Sequence, residues 1–437
     1  MKKVLYLLVL PFLWASTTAA QTNHCIKNRY SQDTFFSFNQ IDTLQNIKYG
    51  ISNIWPGTGT QDLHMDVYMP KTAIDPLEKR PLIILIHGGA FLSGDKKDMA
   101  YFGNAYAQRG FVAVSIQYQL GWDCPNTNFL TICVQCGTKA SNLIKAAYRA
   151  MQDTRGAIKY MVNNAATYEI DTAAIFLMGE SAGSITALQT AFLNQQEVDS
   201  ICTTCKPTLG SLDTVNAHLD NSFTIKAIVD NCGAINKLST IDNNNIPVIG
   251  FHDDLDCVVP YGNGRVLNCL GCTAFNFVSG SNSIYSRLKS NGICAQMNSK
   301  IGSLNHCSYP KAAIVGKSSC FMKDLMCKNC ATFANTAINN IPSCDSGYIM
   351  STPEINANEL NIYPNPSKGN FTIEWSDKHY ANCFMRVMDI NGSLIMEKQL
   401  ENAETTFNLT ETTQGLKFIF LYSCSGELLA IKKIIIQ

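Results

Sequence analysis

The segment Phe176-Leu177-Met178-Gly179-Glu180-Ser181-Ala182-Gly183 constrains the chain more than any other. An apolar run suited to a buried strand meets a G-x-S-x-G turn without a spacer, and Ile185, Leu188 and Phe192 then follow at helical spacing. A strand that turns into a helix at a single serine leaves the hydroxyl projecting above the end of a sheet. Glycines on either side relieve the crowding around so strained a turn. The pattern therefore predicts a helix that starts at Ser181.

The surrounding sequence predicts an α/β fold. Between Cys25 and about Cys344, short apolar runs alternate with longer helical patterns, as expected of a mostly parallel sheet with crossover helices on both faces. Leu63 to Tyr68 alternates as a half-exposed strand, whereas Pro81 to Ile86 is continuously apolar, like a strand covered on both sides. Phe111 to Ile116, Ala174 to Met178, Ile225 to Val229 and Ile246 to Phe251 approximate that second pattern, with Lys226 interrupting the third. From about Leu143 to Val162, Met151, Ile158, Met161 and Val162 form one apolar stripe of a crossover helix. Near Pro342 the texture changes. Phe371 to Trp375, Phe384 to Met388, Leu394 to Met396 and Phe418 to Tyr422 read as strands, with Asn391-Gly392 a hairpin signal, so a small all-β sandwich ends the chain. The expected boundaries are a leader over 1–20, an α/β domain over 21–345, a linker over 346–357 and the sandwich over 358–437.

Composition narrows the function. The 437 residues are 46% hydrophobic, enough for a large core, and 34 basic side chains balance 34 acidic ones. No dense Lys/Arg run follows a phosphate backbone, which argues against nucleic acid as a partner. Met1-Lys2-Lys3, the apolar run Val4 to Trp14 and the small residues ending at Ala19-Ala20 read as a signal peptide, with a buried N-terminal helix as the rival. No later segment approaches the ~20 apolar residues of a membrane helix, so no integral membrane segment is expected in the mature protein. Eighteen cysteines fit an oxidising compartment. They include four C-x-x-C pairs: Cys133 with Cys136, Cys202 with Cys205, Cys269 with Cys272, and Cys327 with Cys330. Disulfides are the favoured reading, with closed zinc sites as the alternative.

A serine hydroxyl is a poor nucleophile at neutral pH. It needs an imidazole to take its proton and a carboxylate to hold that imidazole in the right tautomer. From about Tyr49 to His306 the chain resembles the carboxylesterase-type branch of the α/β hydrolases. The resemblance rests on Leu63 to Pro70, the turn Ile86-His87-Gly88-Gly89-Ala90-Phe91, Gln152-Asp153-Thr154-Arg155 and the Glu180-containing elbow, all in order. It implies the chain order serine, acid, histidine. Of seven histidines only His306 then qualifies, after an expected last strand Ser299 to Leu304. Asp253, Asp254 and Asp256 crowd behind the Ile246 to Phe251 strand. Asp256 is chosen because His252 to Pro260 resembles the family stretch in which the acid shortly precedes a Val-Pro pair, leaving Asp254 as the main rival.

The same resemblance implies an oxyanion hole built from the backbone amides of Gly89, Ala90 and Ala182. Ala90 stands where relatives carry a third glycine, which is compatible with a donor provided its φ is negative. Gln119 stands where relatives often have arginine, His87 is expected to be structural, and Phe91 is assigned equally to the acyl site and to the core. The short catalytic region argues against an elaborate lid.

Near the C-terminus, Ile362-Tyr363-Pro364-Asn365-Pro366-Ser367-Lys368-Gly369 and the run from Gly415-Leu416-Lys417-Phe418 to Lys432-Lys433-Ile434-Ile435-Ile436-Gln437 resemble a type IX secretion sorting domain. A sandwich that binds carbohydrate or a partner is the rival. The resemblances together imply a secreted or cell-surface serine esterase that needs no metal or cofactor. It would act on a small-molecule or polysaccharide-linked ester and have the type IX export machinery as its partner. A peptidase of the same fold and a non-catalytic binding protein stand as alternatives. Cys257 and Cys307 directly follow the expected acid and base, so a bridge between them is expected to clip the two loops together. A second bridge is considered between Cys383 and Cys424.

Overall fold

Strands that are apolar at every position need cover on both faces, and the central sheet provides it. The computed structural model describes residues 24–123, 139–220, 222–268, 273, 275–338, 341, 343–344, 360–375, 384–389, 394–400, 402, 404–409, 414–422 and 428–437. The expected leader, the linker, the Asn391-Gly392 turn, and cysteines 133, 136, 269, 272, 383 and 424 lie outside the described residues. The chain divides into two units, Met1–Asp345 and Ser346–Gln437.

The first unit is built on nine strands: β1 (Ile41–Asn53), β2 (Thr60–Pro70), β3 (Arg80–Ile86), β4 (Val112–Ile116), β5 (Ile170–Glu180), β6 (Ile225–Asn231), β8 (Val248–Asp253), β11 (Ala295–Lys300) and β12 (Phe333–Asn335). Their order across the sheet is β1-β2-β4-β3-β5-β6-β8-β11-β12. The β1–β2 and β2–β4 pairings are antiparallel, and every pairing from β4 onward is parallel. A small antiparallel sheet, β7 (Ala234–Ile235), β10 (Phe277–Gly280) and β9 (Asn263–Arg265), stands beside it.

Alternate side chains feed two cores. Leu82, Ile84 and Ile86 of β3 join Ile175 and Leu177 of β5 on one face, while Ile83, Leu85, Phe176 and Met178 cover the other. Against the first face pack α2 (Ala140–Asn163), α3 (Ala182–Phe192) and α6 (Ser281–Ser290), through Ile158, Met161, Leu188 and Leu288 among others. Against the second pack α1 (Ala100–Ala107) and α7 (Lys311–Met326), through Phe102, Tyr106, Ile314 and Phe321. Two short helices, α4 (Gln195–Ile201) and α5 (Cys205–Leu209), lie between α3 and β6. Among the described residues no helix is long and apolar enough to cross a membrane.

The last strand before the histidine differs from expectation. It is β11, Ala295–Lys300, rather than Ser299 to Leu304. The sequence Ala-Gln-Met-Asn-Ser-Lys looks too polar for a buried strand, but its polar groups are partnered. Asn298 Nδ2 donates to Gly250 O at 3.3 Å, and Lys317 Nζ donates to Asn298 Oδ1 at 3.1 Å.

Cysteine pairing also differs. Among the described residues, disulfides join Cys25 to Cys327, Cys202 to Cys205, Cys232 to Cys307, Cys294 to Cys330 and Cys320 to Cys344, and Cys257 is a free thiol. The expected Cys257–Cys307 bridge is therefore replaced by Cys232–Cys307, whose Cα atoms are 5.4 Å apart. Of the two described C-x-x-C pairs, only Cys202 with Cys205 closes on itself.

In the second unit, β13 (Leu360–Tyr363), β14 (Asn370–Trp375) and β17 (Glu404–Asn408) form one antiparallel sheet. β15 (Phe384–Met388), β16 (Leu394–Gln399), β18 (Gly415–Tyr422) and β19 (Leu428–Ile436) form another. Phe371, Ile373 and Phe407 from the first share one core with Met385, Val387, Ile419, Leu421 and Ile434 from the second. The two sequence motifs at the ends of this unit meet. Asn365 Nδ2 donates to Lys433 O at 2.8 Å, Ile435 N donates to Asn365 Oδ1 at 3.0 Å, and Ser367 N donates to Ile435 O at 2.8 Å.

Candidate active site

Ser181 stands between β5 and α3 with φ 54° and ψ −119°, a left-handed conformation that a residue with a side chain adopts only when its surroundings enforce it. The enforcement is close packing. A Cβ on Gly179 would lie 2.2 Å from Gly183, and one on Gly183 would lie 2.1 Å from Ile86 O, so neither position has room for a side chain. Ser181 N donates to Asn231 O at 2.9 Å, which ties the turn to the end of β6.

Ser181 Oγ lies 2.7 Å from His306 Nε2, and His306 Nδ1 lies 2.6 Å from Asp256 Oδ2. An ionised carboxylate only accepts, so Nδ1 carries the proton and Nε2 is left to accept from the serine hydroxyl. Asp256 Oδ1 accepts from the amides of Val258 at 2.8 Å and Val259 at 3.2 Å. Burial works against the charge on Asp256, but hydrogen bonds from His252 and His306 outweigh it and hold the carboxyl down to about 2.

The two neighbouring aspartates do more than fill a turn. Asp253 accepts from Ser308 N at 2.8 Å and Ser308 Oγ at 2.6 Å, and Asp254 Oδ1 accepts from Ser303 N at 3.1 Å. Both therefore hold the loop that carries His306, while Asp256 alone of the three bonds its ring. The Cys232–Cys307 disulfide completes the fastening. Cys232 follows Asn231 at the end of β6, Cys307 follows His306, and Cys307 Sγ lies 3.4 Å from His306 Nε2. Cys232, His306 and Cys307 have the mutual spacing of metal ligands, but the two sulfurs are bonded to each other and offer no thiolate.

The turn after β3 packs against the serine. A Cβ on Gly88 would lie 3.0 Å from Glu180 O and 3.3 Å from Ser181 Cβ. Gly89 has φ 109°, and Ala90 has φ 53° rather than the negative value expected of an alanine. Side-chain and backbone bonds hold that left-handed residue: Trp122 Nε1 donates to Ala90 O at 3.2 Å, and Gly121 N donates to Phe91 O at 2.7 Å. Ala182 begins α3 beside the serine and is buried. Phe91 is buried in the core, edge-on to Tyr118. His87 donates from Nδ1 to Gly88 O at 2.8 Å and stacks on Tyr118, whose hydroxyl donates to His87 O at 3.0 Å. Burial holds the His87 imidazole below its usual value, so it is a neutral prop of the turn. Gln119 is buried, its side-chain oxygen accepts from Arg149, and its backbone N–H donates to Asp153 Oδ2 at 2.8 Å. Sequence reasoning missed His252 and Ser281. The His252 signal lay in the same His252 to Pro260 run that nominated Asp256.

A mostly parallel nine-stranded sheet, helices on both faces and a serine at a tight strand-to-helix turn give the first unit the α/β-hydrolase fold. Residues 65–245 match the BD-FAE family, and residues 361–437 match the secretion system C-terminal sorting domain, so the chain couples an esterase-like domain to a type IX export address. The first match ends before Asp256 and His306. A cAMP-regulated D2 protein of Dictyostelium discoideum is 29% identical over 165 residues, covering 37% of this chain and 28% of that protein. A para-nitrobenzyl esterase of Bacillus subtilis (strain 168) is 30% identical over 129 residues, covering 29% of this chain and 24% of that protein. The chain thus spans less than a third of the length of the curated relatives it matches. Among solved structures, Thermogutta terrifontis esterase 2 phosphorylated by paraoxon has a TM-score of 0.41 and 15% identity, covering 65% of this chain and 92% of that one. Esterase B from Lactobacillus rhamnosis has a TM-score of 0.40 and 13% identity, covering 68% of this chain and 89% of that one.

Proposed function

We propose that the first unit hydrolyses carboxylic esters through an acyl-enzyme on Ser181. The observation that carries this reading is the unbroken chain Ser181 Oγ to His306 Nε2 at 2.7 Å and His306 Nδ1 to Asp256 Oδ2 at 2.6 Å, assembled from three separate loops. Ser181 Oγ attacks the ester carbonyl as its proton passes to His306 Nε2, and Asp256 stabilises the imidazolium that forms. Negative charge develops on the carbonyl oxygen, for which the Gly89 and Ala182 amides are the donors in this reading, since the positive φ of Ala90 removes the condition on which its amide was expected to serve. Collapse breaks the C–O bond and the alcohol leaves with the proton from His306. A water then repeats the sequence on the acyl-enzyme, giving up its proton to His306 and releasing the acid and free Ser181.

The match of residues 361–437 to a secretion sorting domain supports placing this chemistry at the cell surface or in the surrounding medium, with residues 1–20 as the leader that is removed in this reading. The test is a panel of acetylated and feruloylated polysaccharide, aryl esters of increasing chain length and matched aminoacyl amides, run on wild type and Ser181→Ala. Ester turnover that disappears in Ser181→Ala supports the proposal. Turnover of amides alone replaces it with a peptidase, and turnover of none of them leaves a binding protein.

A further inference from the structure

His252 has no role in the steps above, yet it is fully buried and bonded to the same carboxylate oxygen as His306. It sits on β8, four residues before Asp256, and its Nε2 lies 3.2 Å from Asp256 Oδ2 and 3.0 Å from Val259 O. Both of those partners accept, so Nε2 carries the proton. Nδ1 is then an acceptor, and Ser281 Oγ, 2.7 Å away at the start of α6, donates to it. Asp256 Oδ2 thus receives two imidazole donors and Oδ1 two backbone amides, filling the carboxylate's acceptor positions.

We infer that His252 is a positioning residue for Asp256: locked by Ser281, it clamps the oxygen that His306 uses and shares its charge. This rests on the serine-hydrolase reading of the site. A clamp of this kind does two things. It fixes the carboxylate so that Oδ2 faces His306, and it tempers the pull of Asp256 on the imidazolium. With the His252 donor gone, the carboxylate charge is more fully available to the positive charge that forms on His306 during turnover. The acid limb of the pH–rate profile therefore moves up. The groups that face His252 are few among those described. Asp256 reaches it from its own loop and Ser281 from α6, and the Tyr261 ring stands edge-on at 5.7 Å with its hydroxyl bonded to Ser299 of β11. Asp253 turns to Ser308, and Asp230 of β6 bonds Ser184 and the Gly233 amide.

The experiment compares His252→Asn, His252→Gln and Ser281→Ala. Asparagine loses the donor at the Nε2 position and glutamine keeps an amide N–H there. Each variant is read by ester turnover and by the rate at which a fluorophosphonate probe labels Ser181, both against pH. His252→Asn should lower kcat roughly 10- to 100-fold with KM unchanged, the range seen when a hydrogen-bond partner that orients a functional side chain is removed. It should also raise the acid limb by roughly half to one pH unit. His252→Gln should recover most of both, and Ser281→Ala should move the limb the same way by less. If His252→Asn fails to fold, Ser281→Ala and His252→Gln carry the comparison. Variants that melt earlier but keep the wild-type acid limb would overturn the inference and leave His252 a packing residue. A wild-type protein that takes the probe but cleaves no ester in the panel overturns the substrate reading alone, because the labelling profile still measures the clamp.

Discussion

The serine corner and the acid–base corner of the site are held by different means. Ser181 is fixed by backbone: a left-handed φ, two glycines with no room for a Cβ, and an amide bonded to β6. Asp256 and His306 are fixed by side chains, since Asp253 and Asp254 grip the histidine loop, His252 grips Asp256, and a disulfide pins the residue after His306. The first corner is marked within one contiguous run of sequence, Gly179 to Gly183, and closes against Ile86 and Asn231. The second brings together residues 50 positions apart, on loops with little regular structure of their own. Backbone strain thus gives a site that tolerates almost no local change, whereas a side-chain network can be loosened one strand at a time.

Substitutions should separate the two corners. Ser181→Ala should lower kcat on an activated aryl ester by roughly 10⁶-fold, and a residual rate within a hundredfold of wild type would break the nucleophile assignment. Asp256→Asn should cost roughly 10⁴-fold by leaving His306 in the wrong tautomer. Asp254→Asn should cost less than about tenfold, because the asparagine oxygen can still accept from the Ser303 amide, and the reverse ranking would move the acid to Asp254. Cys232→Ser should lower stability by about 2–5 kcal/mol in urea unfolding and reduce kcat while leaving KM nearly unchanged, since the loop it frees carries the base. The smallest effect is on acid stability. Asp256 is held at about 2 against an ordinary 3.8, so its contribution of about 2 kcal/mol is fully present above pH 4 and is lost as pH falls through 2. Urea midpoints measured from pH 5 to pH 2 should show that loss in wild type and a flatter curve in Asp256→Asn.

Legibility in the sequence followed the same division. The elbow could be read because strand, turn and helix signals abut at Ser181. The central strands could be read because cover on both faces demands unbroken apolar runs such as Pro81 to Ile86. β1 is not legible, because it is an edge strand with exposed Asp42, Thr43, Gln45 and Asn46, so no apolar face marks it. β11 was shifted because its buried polar side chains are partnered by residues far away in the chain. Cys307 pairs with Cys232 rather than Cys257 for a geometric reason. After Asp256 the chain turns so that the Val258 and Val259 amides bond back to the carboxylate, and nearness of an acid to its base does not dictate where their successors point. Cys307, at φ 50°, meets Cys232 at the end of β6 instead. Nothing in the spacing marks residue 232 as the partner.

The Cys25–Cys327 bond closes a covalent ring that contains Ser181, Asp256 and His306. An extracellular protease that nicks any surface loop inside that ring produces two fragments that still share a bond. After a single cut, Ser181, Asp256 and His306 therefore remain in one covalently joined molecule.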